Sequence, residues 1–116
     1  THVVAQGSEA GAQQAVRLEA ASLGIVLWRN NSGALQDAEG RWVRYGLCND
    51  SKQLNERFKS ADLVGVRPGG QFVAREVKAP GWRYTGTPRE EAQLRWLELV
   101  RTLGGDAQFA TGKGTL

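Results

Sequence analysis

One histidine, one cysteine and no methionine occur in this chain of 116 residues. The histidine is His2, at the very start, and Cys48 has no partner for an internal disulfide. A Cys/His zinc site cannot be built from such a set, and a histidine-based triad or a Cys–His nucleophile pair is not to be expected. Any metal must be held by oxygen ligands, which points to Mg²⁺ or Mn²⁺. Long apolar runs are missing too. The longest, Gly24-Ile25-Val26-Leu27-Trp28, is far from the ~20 residues that span a bilayer and fits a buried strand. No charged segment followed by an apolar one opens the chain, and the missing methionine suggests a trimmed start. With nothing to export it, a cytoplasmic location is the expectation, with no membrane partner.

Apolar residues make up 41% of the chain, enough for one modest core in a single α/β domain over residues 1–116. The net charge is only +3, but it is unevenly spread. Residues 41–88 carry nine basic and four acidic side chains, whereas residues 1–40 carry two and four, and residues 89–116 four of each. Trp42, Tyr45, Trp82 and Tyr84 fall in the same basic stretch. Basic residues interleaved with aromatics suit a polyanion-facing surface, although a solvated basic face has the same composition.

Helical spacing of Ala12, Val16, Ala20 and Leu23 predicts a helix over residues 9–23, with Ser8 as N-cap and Gly24 as terminator. Residues 25–28 read as a strand, closed by the turn-prone Asn30-Asn31-Ser32-Gly33. Trp42–Tyr45 alternates as a second strand. The polar stretch 49–60 is a loop or a short helix. Strand-like runs at 61–66 and 71–77 flank Pro68-Gly69-Gly70, the signal of an antiparallel hairpin. After a Gly/Pro/aromatic loop at 79–86, Thr87-Pro88-Arg89-Glu90 opens a second helix as a capping box with proline at its first position. Its stripe is Ala92, Trp96, Val100 and Leu103, and a short strand over 106–111 follows Gly104-Gly105. The expected order is α-β-β-β-β-α-β, a mixed sheet flanked by helices.

In Glu76-Val77-Lys78, strand period two puts Glu76 and Lys78 on one face. A carboxylate there can ligate a cation while the ammonium holds an attacking water or offsets charge on a phosphoryl group. The Val77 carbonyl offers a further hard oxygen. Across the hairpin, Asp62 at the start of one strand faces Glu76 at the end of the other, and two such carboxylates are costly side by side without a cation. The plainer alternative is an exposed Glu76–Lys78 ion pair of little energetic weight.

Asp62 with Glu76-Val77-Lys78 resembles the PD-(D/E)XK nuclease signature. More closely, the chain is similar to the VRR-Nuc family of that superfamily, in particular its stand-alone phage and bacterial members. The matching residues are Glu9-x-x-Ala12-Gln13, Leu27-Trp28-Arg29-Asn30-Asn31 with Gly33, and Lys59-Ser60-Ala61-Asp62-Leu63. They continue through Glu76-Val77-Lys78-Ala79-Pro80, Gln93-x-x-Trp96 and Gly104-Gly105-Asp106-Ala107. One departure is Ala61, where many relatives have proline before the aspartate.

The resemblance implies a restriction-endonuclease-like core in which Glu9, Asp62 and Glu76, with the Val77 carbonyl, bind Mg²⁺ or Mn²⁺. Lys78 would position the water, and Gln93 would orient Lys78 or the scissile phosphate. Glu19 rivals Glu9 as the helix acid, and an acid in a first helical turn also complements the macrodipole without any metal. Arg29, Asn30 and Asn31 carry donors suited to phosphate oxygens, although Asn and Gly also simply favour turns. Arg41, Arg44, Lys52, Arg57, Lys59, Arg83 and Arg89 can track a DNA backbone, with Trp82 and Tyr84 stacking on a base or packing their loop. The implied activity is hydrolysis of branched DNA, as by a Holliday-junction resolvase, in a bacterial or phage-infected cell. Two symmetric cuts would require a homodimer, for which Trp42, Tyr45 and Leu47 are candidate contacts. The alternatives are a flap or nicking nuclease on the same site, or a DNA-binding module that keeps the fold without catalysis.

Overall fold

The computed structural model describes residues 7–116, so His2 lies outside the described residues. Helix α1 (Glu9–Ser22) begins where the Ser8 hydroxyl accepts from the Gly11 N–H at 2.9 Å. It ends at Gly24, whose φ of 74° only glycine adopts freely. Strand β1 (Val26–Arg29), β2 (Gly33–Gln36) and β3 (Trp42–Tyr45) follow, then the short helix α2 (Lys52–Arg57). Strands β4 (Leu63–Val66) and β5 (Phe72–Val77) lead to helix α3 (Pro88–Thr102) and strand β6 (Asp106–Ala110).

Four strands form one mixed sheet in the order β1-β4-β5-β6, antiparallel except for the β5–β6 pair. Alternation along β5 divides the core. Val73 and Val77 pack with Leu63, Leu27 and Ala110 against Ala12, Val16 and Ala20 of α1. Ala74 turns the other way, to Ala61, Ala107, Trp96 and Leu97 beneath α3. The result is an α/β/α sandwich, with α2 lying against α3. Among the described residues no helix is long and apolar enough to cross a membrane.

Both helices and the β4–β5 hairpin lie where their local signals put them. At the hairpin, the Arg67 N–H donates to the Gln71 carbonyl and the Gly70 N–H to the Arg67 carbonyl. At α3 the capping box of Thr87 and Glu90 is complete. The element order differs from expectation, because β2 and α2 are additional. Gly33 begins a strand that pairs with β3 in a separate two-stranded sheet, Leu35 opposite Val43. Strand β2 is exposed or half-buried along its length, so no buried face imprints period two there, whereas β3 is the strand that the alternation of Trp42–Tyr45 predicts. The apolar β1 is an edge strand, not a buried one: Ile25 and Leu27 face α1 while Val26 and Trp28 stay exposed. Leu103, expected on the inward stripe of α3, is 79% exposed, and Leu97 is buried instead.

Gly65 is required by the sheet itself. A Cβ there would run into the Val26 carbonyl of the neighbouring strand, so β1 and β4 approach as they do only because that position has no side chain.

Candidate active site

Asp62 and Glu76 meet at the open end of the β4–β5 hairpin. The register that pairs Leu63 with Arg75, carried one residue further, sets Asp62 opposite Glu76. Period two turns both toward the α3 layer. The Val77 N–H donates to Asp62 Oδ2 at 3.0 Å and anchors that carboxylate beside its neighbour. Glu76 is only 4% exposed. Burial first, then the hydrogen bond and charge of Asp62, push its carboxyl up to about 10, against the weaker pull of Lys78 and Arg89. At neutral pH Glu76 therefore keeps its proton, as a buried carboxyl beside a second acid does.

Gln93, from the second turn of α3, lines the same cleft at 2% exposure, and its Oε1 is buried without a hydrogen-bond partner. A buried acceptor with no donor is uncommon in a folded protein. Three hard oxygen-bearing side chains, Asp62, Glu76 and Gln93, thus converge from the residue before β4, from β5 and from α3. The expected third acid does not join them. Glu9 is exposed on the first turn of α1. Among the described residues no group of three or more His, Cys, Asp or Glu that could hold a metal ion is assembled. Glu19, its rival, accepts from the Gly114 and Leu116 N–H groups and serves the C-terminal segment instead.

Lys78 leaves β5 on the Glu76 side, its N–H donating to the Ala110 carbonyl. No ion pair joins it to Glu76. Its Nζ lies 5.6 Å from the centre of the Trp82 ring, a cation–π seat. That ring is fixed in turn by Phe109 at 4.8 Å between centroids and by Glu90, which accepts from Trp82 Nε1 at 2.8 Å. Glu90 also accepts from the Thr87 N–H and from the N–H and hydroxyl of Thr85. Led by the Thr87 N–H, these donors hold its carboxyl down to about 2 despite burial. Sequence reading identified Glu90 as a helix cap but missed its second task of ordering the loop that seats Lys78. An indole four residues beyond Lys78 was the only available signal.

The acid pair lies in a cleft of about 740 Å³ between the β2–β3 hairpin and the start of α3. Of the expected DNA contacts, Arg29, Asn30, Asn31, Arg44 and Lys59 line it, together with Arg89. Lys52, Arg83 and Tyr84 do not line it. The Asn30 amide is committed internally: Nδ2 donates to Ser60 Oγ and the Ala61 carbonyl, and Oδ1 accepts from the Leu47 N–H. That side chain clamps the segment leading into Asp62. Tyr84 packs edge-on against Trp82. Arg41 is engaged with Asp37 and Glu39 away from the cleft. Trp42, Tyr45 and Leu47 are exposed.

The chain matches no protein-family model, no curated protein and no solved structure.

Proposed function

We propose that this protein is a metal-dependent nuclease of the PD-(D/E)XK type, similar to the VRR-Nuc family, that hydrolyses phosphodiester bonds in branched DNA. The observation that carries the reading is the convergence of Asp62, Glu76 and the unpartnered Gln93 Oε1 in one basic-lined cleft. A buried carboxyl, Glu76, facing half-buried Asp62 next to an amide oxygen with no donor forms a donor set that suits a hard divalent cation. Mg²⁺ or Mn²⁺ held by Asp62, Glu76 and the Val77 carbonyl would supply Lewis acidity and offset charge at the phosphate. Glu9, exposed and apart from the pair, is left out of this ligand set.

The chain's own groups account for the rest. The Val77 N–H holds Asp62 in place. Lys78, seated on Trp82 beside Glu76, donates to the attacking water or to a phosphate oxygen. Gln93 orients the group that Lys78 addresses. A homodimer presenting two such clefts fits paired cuts across a junction.

The test compares wild type, Glu76→Ala and Lys78→Ala on junction, flap, duplex and single-stranded DNA with Mn²⁺. Both variants should lose cleavage while junction binding survives. Cleavage that persists in both refutes the reading, and the preferred substrate of the wild type separates resolvase from flap or nicking activity.

A further inference from the structure

Four cations line the cleft, and three of them, Arg44, Lys59 and Arg89, form no ion pair among the described residues. Arg44, at the end of the β2–β3 hairpin, donates from Nη1 to Asn49 Oδ1 at 3.0 Å. Asn49 is 3% exposed, and its Nδ2 is spent on the Gly33 and Tyr45 carbonyls, so this amide is fully satisfied and rigid. Lys59 Nζ donates to Asn55 Oδ1 at 2.6 Å, and the Lys59 N–H to the Ala92 carbonyl. Arg89, on the first turn of α3, lines the same cleft, and its charge bears on Lys59 and on Glu76. None of the three forms an ion pair among the described residues, whereas Arg41, Arg67, Arg75 and Arg95 all do.

Neutral amides fix the positions of Arg44 and Lys59 without cancelling their charge. Burial first, then the Arg89 and Arg44 charges, lower the affinity of Lys59 for its proton, and Glu56 offsets part of this. Folding thus brings three like charges together without an ion pair among the described residues, offset only in part by Glu56 and the acid pair. Such an arrangement costs free energy unless an anion occupies it.

We infer that Arg44, Lys59 and Arg89 form a phosphate-binding subsite that grips a nucleic-acid phosphate next to the one presented to Asp62 and Glu76. The inference rests on reading the cleft as a nucleic-acid site, but the grip itself needs no metal. Arg89, within electrostatic reach of both groups, sets the subsite beside the acid pair. Guanidinium groups supply two-pronged contacts to phosphate oxygens, and Lys59 a point charge.

The experiment measures binding of a fluorescent oligothymidylate in EDTA, where no cleavage can occur. It compares wild type, the triple variant Arg44→Gln/Lys59→Gln/Arg89→Gln, and Arg41→Gln as a distant-cation reference. The triple variant should bind roughly tenfold or more weakly, and its dependence of log Kd on log salt should flatten by about 0.7, the contribution of one single-strand phosphate. Arg41→Gln should bind like wild type. Lys59→Arg in the wild-type background keeps the charge and should keep the affinity.

Two further probes separate the sources of the phosphoryl group. If inorganic phosphate competes poorly, and oligonucleotides with and without a 5′-phosphate bind equally, the ligand is an internal phosphodiester. If the 5′-phosphate or free phosphate binds preferentially, and only to chains with the three cations, the same subsite takes a terminal or free group. Unchanged affinity and salt slope in the triple variant overturn the inference. Wild type that binds oligonucleotide through these residues yet never cleaves DNA would sink the nuclease reading alone.

Discussion

Replacing Glu76 with glutamine should make the metal-free protein more stable while removing its proposed activity. In the folded chain the Glu76 carboxyl titrates at about 10, against an ordinary value of 4.5. An unfolded chain therefore releases this proton near pH 4.5 and the folded one keeps it, so between these values the native state binds more protons. Stability must then fall as pH rises through that window. At pH 7 the interval from 4.5 is about 2.5 units, which at about 1.4 kcal/mol per unit is a cost of about 3 kcal/mol as an upper bound. Glutamine carries no such cost, and its N–H can still donate to Asp62 as the protonated acid does. Some of the gain is lost to the buried amide's second N–H, so a net of about 1–3 kcal/mol is expected. For a domain of this size that is a rise in Tm of roughly 4–12 °C. Thermal melts followed by circular dichroism in EDTA, from pH 4 to 8, read it directly. The advantage of Glu76→Gln should vanish near pH 4 and grow toward pH 8. Added Mn²⁺ should then stabilise wild type alone, because only an intact ligand set gains from mass action. A variant equal to or less stable than wild type at pH 7 in EDTA would refute the reasoning.

Asp106 is the carboxylate partner of Arg75, a guanidinium only 2% exposed, and it also pairs with Arg67. Asp106→Asn should cost about 3 kcal/mol or more in urea denaturation, since it strands a buried charge. Burial raises the Asp106 carboxyl, but Arg75 and Arg67 outweigh it and hold the group below its ordinary 3.8. Its contribution is therefore present above that value and lost as pH falls through the lowered one, so the gap between wild type and variant should close in acid. Trp82→Ala removes the seat of Lys78. With a cation–π contact of about 0.5–2 kcal/mol, kcat should drop by roughly 2- to 30-fold with DNA affinity unchanged, and Trp82→Phe should restore most of it. A loss confined to KM would speak against that role. Gly65→Ala drives a methyl group into the Val26 carbonyl and should destabilise by about 1–3 kcal/mol or more, as equilibrium unfolding would measure.

The parts legible from sequence are those governed by neighbours along the chain. Ser8 and the Thr87-Pro88-Arg89-Glu90 box announce helices because capping satisfies N–H groups within three residues. Pro68-Gly69-Gly70 announces a hairpin because the turn depends on its own backbone angles, and that hairpin sets Asp62 opposite Glu76. Strand β3 was legible at its full bounds from the alternation of Trp42–Tyr45, but its partner β2 was not, because its exposed and half-buried residues leave no alternation to read. Glu9 shows the limit of a motif: the pattern set it against Glu19 as the helix acid, and the helix that carries it leaves the side chain in solvent.

Sequence by itself determined the chemistry on offer. One histidine and one cysteine leave only oxygen ligands, and the spacing of Glu76 and Lys78 puts acid and amine on one face. Tertiary structure alone decided which groups meet. Gln93 lost its partner, Lys78 came to rest on Trp82, and Arg44, Lys59 and Arg89 gathered around one cleft. Each of these depends on segments many residues apart, whose packing trades desolvation against contact in ways that no local pattern encodes.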